Sequence, residues 1–353
     1  MLDYEAWPGT LGPAVGSPAR RPGSIRRTTS IDMLFPDGMT GGLTLQGRGR
    51  DLVTGPGGET EVVDRAAITV VTEGPARTVA SLTLEPPVAG LDALVGAPVV
   101  AGFRKVLAQR LAEVLDRGGV DALLLDDLTG AGIVSGSATG RAAIELGIQW
   151  PPPPPEGEDG SGLPPGRRVR IGGPGPAVCI GHIPGGVMAQ RTAEGRPLLG
   201  QGPPAPLLTL ADDPLAWHDE PPLPPRSMRR KRRIDIWRQD GQVWLDSHFR
   251  DSHVEADGVE TAVHEYEISA ELSGDGLVVQ HVEVRPRSLP GPECPGAAAS
   301  AQRIVGEPIS ILRDLVRTQL RGETTCTHLN DQLRSLADVP VLLAELDRVV
   351  TGV

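Results

Sequence analysis

Residues 260–286 of the chain read ETAVHEYEISAELSGDGLVVQHVEVRP. Apolar and polar residues alternate from Tyr266 to Leu272, the period of two that is typical of a strand with one buried face. A Gly-Asp-Gly sequence at 274–276 then supplies turn residues, and an apolar-rich run occupies 277–284. The stretch therefore predicts an antiparallel hairpin.

The motifs around this hairpin occur twice along the chain. Downstream of it, each copy has a Gly-x-Pro motif and then apolar residues at helical spacing. The second copy contains Arg232-Arg233, Ile234-Asp235, Asp240-Gly241, Arg250-Asp251, Glu260-Thr261 and Gly306-Glu307-Pro308. The first contains Arg26-Arg27, Ile31-Asp32, Asp37-Gly38, Arg50-Asp51, Glu59-Thr60 and Gly96-Ala97-Pro98. The pattern predicts an α+β fold of two tandem pseudo-symmetric modules, each an antiparallel sheet covered by helices on one face and packed as an internal dimer.

Four segments follow from this interpretation. We expect a flexible N-terminal tail at 1–25, a degenerate first module at 26–145, a connector at 146–226 and a second module at 227–348. Prolines and glycines, including Pro151–Pro155, exclude regular helix and central strands from most of the connector. Within it, Arg168–Ile171 and Val187–Gln190 look like strands.

Composition limits the class of protein. The 353 residues carry a net charge of -11, which keeps the chain soluble and works against nucleic acid as the main partner. No apolar run approaches the roughly 18 residues of a membrane span, and the N-terminus lacks the pattern of a secretory signal. Three cysteines are too few for a disulfide framework. We expect a cytoplasmic protein, a monomer or homodimer, that binds a small molecule or another protein.

Differences between the two copies are more informative about function than their similarities. The Arg-Asp pair, present in both, is expected to be a structural ion pair. His264 stands where the first copy has Asp64, and Cys326-Thr327-His328-Leu329 stands where it has Leu125-Asp126-Asp127-Leu128. The loop before the second helical region is ten residues longer and contains Cys294. His264, Cys294, Cys326 and His328 are therefore predicted to bind zinc or iron.

Helix geometry sets a condition on this site. Residues i and i+2 of a helix point to different faces, so Cys326 and His328 can share an ion only if Cys326 precedes the first turn. Thr325 and Thr327 are the candidate N-caps. One alternative is a catalytic cysteine, with Cys326 activated at the helix N-terminus, His328 or His264 as base and Asp331 orienting it. The other is that the cysteines and histidines are satisfied core residues.

Three further motifs have simpler interpretations. Cys179 and His182 form half of a metal site and are interpreted as loop packing. The basic run Arg229–Arg233 is interpreted as a solvated guard of a sheet edge rather than a phosphate site. Alternation along a strand places His248 and Arg250 on one face, with no catalytic role assigned.

Two resemblances add to these expectations. The runs His264-Glu265-Tyr266, Pro292–Ala297 and Cys326–Asp331 resemble the bacterial family catalogued as domain of unknown function 2889, over residues 229–343 and more weakly in the first half. That resemblance implies no activity. More distantly, the order of strands, cysteine loop and final helix is similar to the U-type iron–sulfur cluster assembly scaffold, in which three cysteines and a histidine bind zinc or a nascent cluster. The resemblance matches Cys294 and Cys326 to its second and third cysteines and places His264 near its first.

Together these features predict a metal-binding protein. It is either an enzyme that uses zinc or iron as a Lewis acid, or a binder of the metal or of an iron–sulfur cluster. An interaction protein with a structural metal is the competing class. Three protein ligands plus water favour catalysis, whereas four closed ligands favour a structural role.

Overall fold

The fold is a mixed α+β arrangement built on one antiparallel sheet. A computed structural model describes residues 7–39, 41–74, 76–100, 102–147, 178–194, 196, 200–209 and 212–352. In these ranges the strands are β1 Ser24–Leu34, β2 Thr44–Thr54, β3 Thr60–Glu73, β4 Thr78–Glu85, β5 Met228–Gln239, β6 Gln242–Val254, β7 Glu260–Ser273 and β8 Val278–Ser288. The sheet order is β4-β3-β2-β1-β5-β6-β7-β8, so β1 and β5 are its two central strands.

Helices cover one face of this sheet. They are α1 Phe103–Arg110, α2 Ala112–Arg117, α3 Val120–Glu145, α4 Val187–Ala193, α5 Leu312–Gln319, α6 Thr327–Ser335 and α7 Val339–Thr351. A 3₁₀ segment, Cys294–Ile304, packs on β8, α3 packs across β1, β2, β3 and β5, and α7 packs on β1 and β5. No described helix has both the length and the apolar character needed to cross a membrane.

Alternation along the strands builds two apolar cores under the helices. Tyr266, Ile268, Ala270 and Leu272 are all buried and belong to one cluster with α5, α6 and α7. The other cluster joins β1–β4 to α1, α2 and α3. The hairpin predicted from 260–286 is present as β7 and β8. The predicted antiparallel strands and covering helices are therefore present. The strands of both halves form one continuous sheet rather than a separate sheet in each half.

The opposite face is covered by the N-terminal segment and part of the connector. The amide of Leu11 donates to the Pro286 carbonyl, and that of Gly16 donates to the Leu207 carbonyl. Residues 7–23 were expected within a flexible tail. Their backbone is instead hydrogen-bonded to the end of β8 and to the connector residue Leu207. Under this cover His248 Nε2 and Arg250 Nη2 both donate to Glu265 Oε1, at 2.7 and 2.9 Å. His248 and Arg250 share one strand face, as alternation predicted.

Two expectations for the connector meet different outcomes. Val187–Gln190, predicted to be a strand, lies instead in helix α4, which packs on the 3₁₀ turn Ile180–His182. The apolar residues there suit either element. Arg168–Ile171 lies outside the described residues.

The basic run Arg229–Arg233 is not an edge guard. It lies in the central strand β5, and its five residues are at most 8% exposed. Alternation directs Arg230 and Arg232 toward the helices, where Arg232 forms a bidentate ion pair with Asp127. Arg229 faces the other side and pairs with Asp32. The run is buried because each charge meets a carboxylate, a condition that sequence alone does not reveal.

Candidate metal centre

Asp251, His264 and His328 meet between the sheet and helix α6. One ligand atom from each lies within 4.8 Å of the other two. No other three His, Cys, Asp or Glu residues in the described part of the chain meet this spacing. The His264 and His328 rings are stacked, with centroids 3.5 Å apart and planes inclined by 13°. Nε2 of His328 lies 3.5 Å from Oδ2 of Asp251. Two imidazoles and one carboxylate therefore converge on one buried position.

Strand register and a β-bulge position the first two residues. Asp251 in β6 is directly opposite His264 in β7, and the register shifts by one residue just beyond this pair. The shift leaves Val263 without a partner in the ladder, and bulges of this kind re-aim adjacent side chains. His328 is the second residue of α6, which packs on the helix-covered face of the sheet. Because three separate elements contribute, the group exists only in the folded chain.

Arg230 provides the charge balance of this position. Its Nε and Nη2 atoms donate to the two Asp251 oxygens, each at 2.9 Å, and its Nη1 donates to Asp331 at 3.0 Å. Asp331 also pairs with Arg104 at 2.7 Å. Asp251 is thus in an ion pair, as expected, but with Arg230 rather than Arg250, which alternation sends to the opposite face. Asp331, expected to orient a histidine, is held by the two arginines instead.

Burial keeps both imidazoles neutral. It lowers the pKa of His328 to about 3, helped by the nearby positive charge of Arg230. Burial also lowers the pKa of His264 well below its usual value, with a further contribution from His328. Nδ1 of His264 is buried and makes no hydrogen bond to any described residue. A neutral imidazole with a free nitrogen is the form that binds a metal ion.

Cys326 lies on the other side of the His328 ring. It is the N-cap of α6, ahead of the first turn, so neither Thr325 nor Thr327 has that position. Its Sγ is 3.9 Å from Nδ1 of His328, whereas Asp251 faces Nε2. Burial raises the pKa of Cys326. The shift is opposite to the lowered pKa expected of an activated cysteine, because desolvation outweighs the helix N-terminus.

Cys294 and Cys179 lie beside Cys326 rather than beside the imidazole pair. Cys294 is 5% exposed and shares the apolar cluster of Cys326 and Tyr266. Sγ of Cys179 lies 3.1 Å from Nδ1 of His182, in a segment that packs on the Cys294 segment. Of the four residues predicted to bind one metal, the structure brings His264 and His328 together, whereas Cys294 and Cys326 do not belong to the trio.

The first half of the chain has a counterpart of this position without imidazoles. Asp51 is opposite Arg27 in one ladder and opposite Asp64 in the next, just as Asp251 is opposite Arg230 and His264.

The partner of Asp64 is the start of a helix. Its Oδ2 accepts a hydrogen bond from the Val120 amide at 2.9 Å. The residue that meets Asp64 is thus Val120, at the start of α3, and not Asp127, which the sequence comparison aligned with His328 and which pairs with Arg232. Likewise Arg27 takes the ladder position of Arg230 rather than Arg233. Short motifs do not resolve such register differences.

Sequence reasoning missed one member of the centre. Asp251 was assigned to a structural pair only. The signal for Asp251 was available, since strand pairing of the repeated motifs would place it opposite His264.

Comparison with known proteins gives a family match over part of the chain. Residues 228–342 match the model of a family described as protein of unknown function (DUF2889). The match begins at β5 and ends in α7, so it includes the whole candidate centre. No curated protein and no solved structure matches the chain. The distant likeness to the iron–sulfur scaffold therefore has no support from these comparisons.

Proposed function

We propose that this protein binds a divalent transition metal, zinc or iron(II), through Asp251, His264 and His328. The observation that carries the proposal is the convergence of these three side chains within 4.8 Å of one another. Two imidazoles and a carboxylate form a donor set that occurs in zinc sites and in non-haem iron sites.

Two further features support metal binding. The pKa shifts keep His264 and His328 neutral, so no proton needs to leave either imidazole. Arg230 holds Asp251 in place through two hydrogen bonds, which orients the carboxylate as the outer partners of metal ligands do. The positive charge of Arg230 opposes the metal, and Asp331 offsets it. An imidazole binds a metal in the plane of its ring, so the stacked rings must tilt apart when the ion enters.

Three protein ligands favour an open position on the metal. Cys326 faces Nδ1 of His328, the nitrogen turned away from Asp251, and is a poor candidate for a fourth ligand of the same ion. An open position would hold water or substrate, and the metal would act as a Lewis acid in a small-molecule enzyme. A closed structural site would need a fourth protein donor.

The two halves of the chain support a proposed duplication. Each half forms a four-stranded meander followed by helices, and corresponding ladder positions hold Arg27 and Arg230, then Asp51 and Asp251. Asp64 occupies the position of His264. In this proposal the second module gained the metal ligands and the first retained a structural role.

A cytoplasmic location is part of the same proposal. All three cysteines are free thiols, although the fold brings them to one region. Persisting thiols are typical of a reducing compartment.

The test is metal binding by the full chain after removal of metals with a chelator. We expect wild-type protein to bind one Co²⁺ or Zn²⁺ ion per chain at this site, measured by calorimetry and by Co²⁺ absorption. His264→Gln is expected to weaken binding at least about tenfold. Exogenous azide should perturb the Co²⁺ spectrum if a coordination position is open.

Two matched variants separate metal loss from damage to the fold. Asp51→Asn and Asp251→Asn each break a buried pair with an arginine, but only Asp251 belongs to the centre. Both should lower stability, and only Asp251→Asn should lose the ion. His281→Gln changes an exposed histidine and should bind normally. Equal binding by wild-type, His264→Gln and Asp251→Asn proteins would refute the proposal.

A further inference from the structure

Two buried residues behind the candidate metal centre connect it to the N-terminal segment. Asp251 and His264 are opposite each other in β6 and β7. The next pair along these strands is Arg250 and Glu265. Because successive side chains of a strand point to opposite faces, this second pair lies on the sheet face away from the helices. Both of its members are at most 2% exposed. The metal ligands and the buried pair therefore share the same stretch of backbone.

The N-terminal strap, residues 7–23, is bound to this pair through one residue. The Ala14 amide donates to Oε1 of Glu265 at 2.9 Å, and the Ala14 carbonyl accepts from Nη2 of Arg250 at 2.7 Å. Arg250 also donates through Nη1 to the Pro206 carbonyl of the connector, at 2.6 Å. Hydrogen bonds to charged groups are stronger than those between neutral groups, so these bonds fasten the strap to the sheet.

The strand that carries His264 is irregular on both sides of Glu265. The ladder with β6 shifts register just before His264, and the ladder with β8 shifts between Glu265 and Tyr266. Regular ladder hydrogen bonding is disrupted at such shifts. Ahead of the first shift, the Ala262 amide donates to the Pro203 carbonyl of the connector, at 2.8 Å. Contacts with the strap and the connector therefore support the ligand-bearing backbone where the ladders are interrupted.

The first half of the chain lacks this carboxylate. Arg65 occupies the ladder position of Glu265, opposite Arg50 rather than Arg250. Arg65 is exposed, whereas Glu265 is buried. Arg50 still donates to two carbonyls of the connector. The contact between an arginine and the covering segments is thus common to both halves, whereas the carboxylate accompanies the imidazole of His264 in the second half.

We infer that Glu265 is a positioning residue of the metal centre and that the strap, through Ala14, controls how tightly the centre binds its metal. This inference rests on the proposed metal function. Glu265 acts through the backbone that it shares with His264, whose imidazole must be aimed at the ion. Outer groups that orient metal ligands contribute about 10–100-fold to metal affinity. A strap released from Glu265 leaves His264 less well oriented and lowers the affinity.

The experiment compares Co²⁺ binding by the full chain and its variants, using calorimetry and absorption. Glu265→Ala should weaken binding at least about tenfold, and Glu265→Gln, which keeps an oxygen acceptor for the Ala14 amide, should recover most of the loss. Ala14→Pro removes that amide donor without changing the sheet. It should weaken binding about threefold to tenfold, because Arg250 and His248 still hold the carboxylate.

Val15→Pro is the matched control in the strap. Val15 is 76% exposed, and its amide makes no hydrogen bond to a described residue. This variant should bind Co²⁺ like wild-type protein. A second measurement needs no metal: amide hydrogen exchange in β7 around His264 should be faster in metal-free Ala14→Pro than in metal-free wild-type or Val15→Pro protein. Circular dichroism confirms the fold of each variant.

The outcomes separate this inference from the proposed metal function. If wild-type protein binds no Co²⁺, the metal site and the strap control both fail. If wild-type protein binds Co²⁺ and folded Ala14→Pro binds it equally well, the metal site stands and the inference is overturned. Normal binding by folded Glu265→Ala has the same consequence for Glu265 as a positioning residue.

Discussion

Arg230 determines the electrostatics around the candidate centre. It is 1% exposed and contacts Asp251 and Asp331 through three of its nitrogens. Burial alone would raise the pKa of Asp331, but Arg104 and Arg230 together lower it. Asp331 thus remains charged, while the two imidazoles near it remain neutral. At the scale of single residues the site combines paired charges with unpaired, uncharged donors.

Neutral buried histidines predict a loss of stability in mild acid. The usual pKa of histidine is 6.5, and burial lowers that of His328 to about 3. Between these values the unfolded chain binds a proton that the folded chain excludes, so stability falls as pH decreases below about 6.5. Each pH unit costs up to about 1.4 kcal/mol per histidine. Urea unfolding in chelator at pH 7.5, 6 and 5 measures this.

The contribution of His328 is isolated by substitution. His328→Gln should reduce the fall in unfolding free energy by about 1 kcal/mol per pH unit between pH 6 and 5. His281→Gln, in which the replaced histidine is exposed, should behave like wild-type. A pH profile of His328→Gln parallel to that of wild-type would show that the folded protein protonates His328.

Helix α3 approaches the sheet through glycines. A Cβ at Gly47 or Gly49 in β2 would overlap side chains or backbone of the neighbouring elements, including Leu124 and Val120 of α3. Gly130, within α3 itself, leaves room for the Arg230 guanidinium and for Asp331. The close contact of α3 with the sheet and the ion-pair network therefore depend on missing side chains.

Two substitutions in α3 test this dependence. Gly136→Ala meets nothing within 4 Å, so improved helix propensity should raise stability by about 0.5–1 kcal/mol. Gly130→Ala has the same propensity gain but overlaps Arg230, whose hydrogen bonds prevent it from moving away. We expect a net loss of about 1–3 kcal/mol. Thermal and urea unfolding measure both, and a stabilised Gly130→Ala protein would contradict the packing argument.

The pairing of β1 with β5 joins the two halves of the molecule into one sheet. Backbone pairing runs from Ser24 opposite Trp237 to Met33 opposite Met228. Ion pairs cross the same boundary, including the buried pairs Arg27–Asp338 and Arg232–Asp127 and the partly exposed pair Arg104–Asp331. The matched family region begins at β5, so it excludes the strand that completes this pairing.

Residues 227–353 expressed alone should not form a stable monomer. The fragment leaves the β5 edge unpaired, and Arg229 and Arg232 lose Asp32 and Asp127. Exposed strand edges promote association, and an unpaired buried charge costs about 3–5 kcal/mol. Light scattering and circular dichroism should show an unfolded or self-associated fragment. A monomer with a cooperative melting transition would mean that the second half is an independent domain.

Sequence patterns sufficed for the local features of this protein. Alternation from Tyr266 to Leu272 predicted a buried strand face, and the Gly-x-Pro motif at 306–308 correctly predicted helices after it. Cys326 precedes the first turn of α6, which meets the condition that helix geometry set for it. The sequence did not indicate Asp251 as a ligand candidate, because its role depends on pairing between strands. The run Arg229–Arg233 was misplaced at an edge, because counting charges does not reveal where their partners lie.

The sequence by itself determined the periodicities, the turns and the chemical types of donors that are available. Only the tertiary structure decided that β5 is central, that His264 meets His328 and Asp251, and that Cys326 faces the other side of His328. The physical reason is the sequence separation over which each kind of interaction acts. Alternation and helical spacing arise from backbone geometry over a few residues, whereas these contacts depend on strand register and helix docking between distant segments.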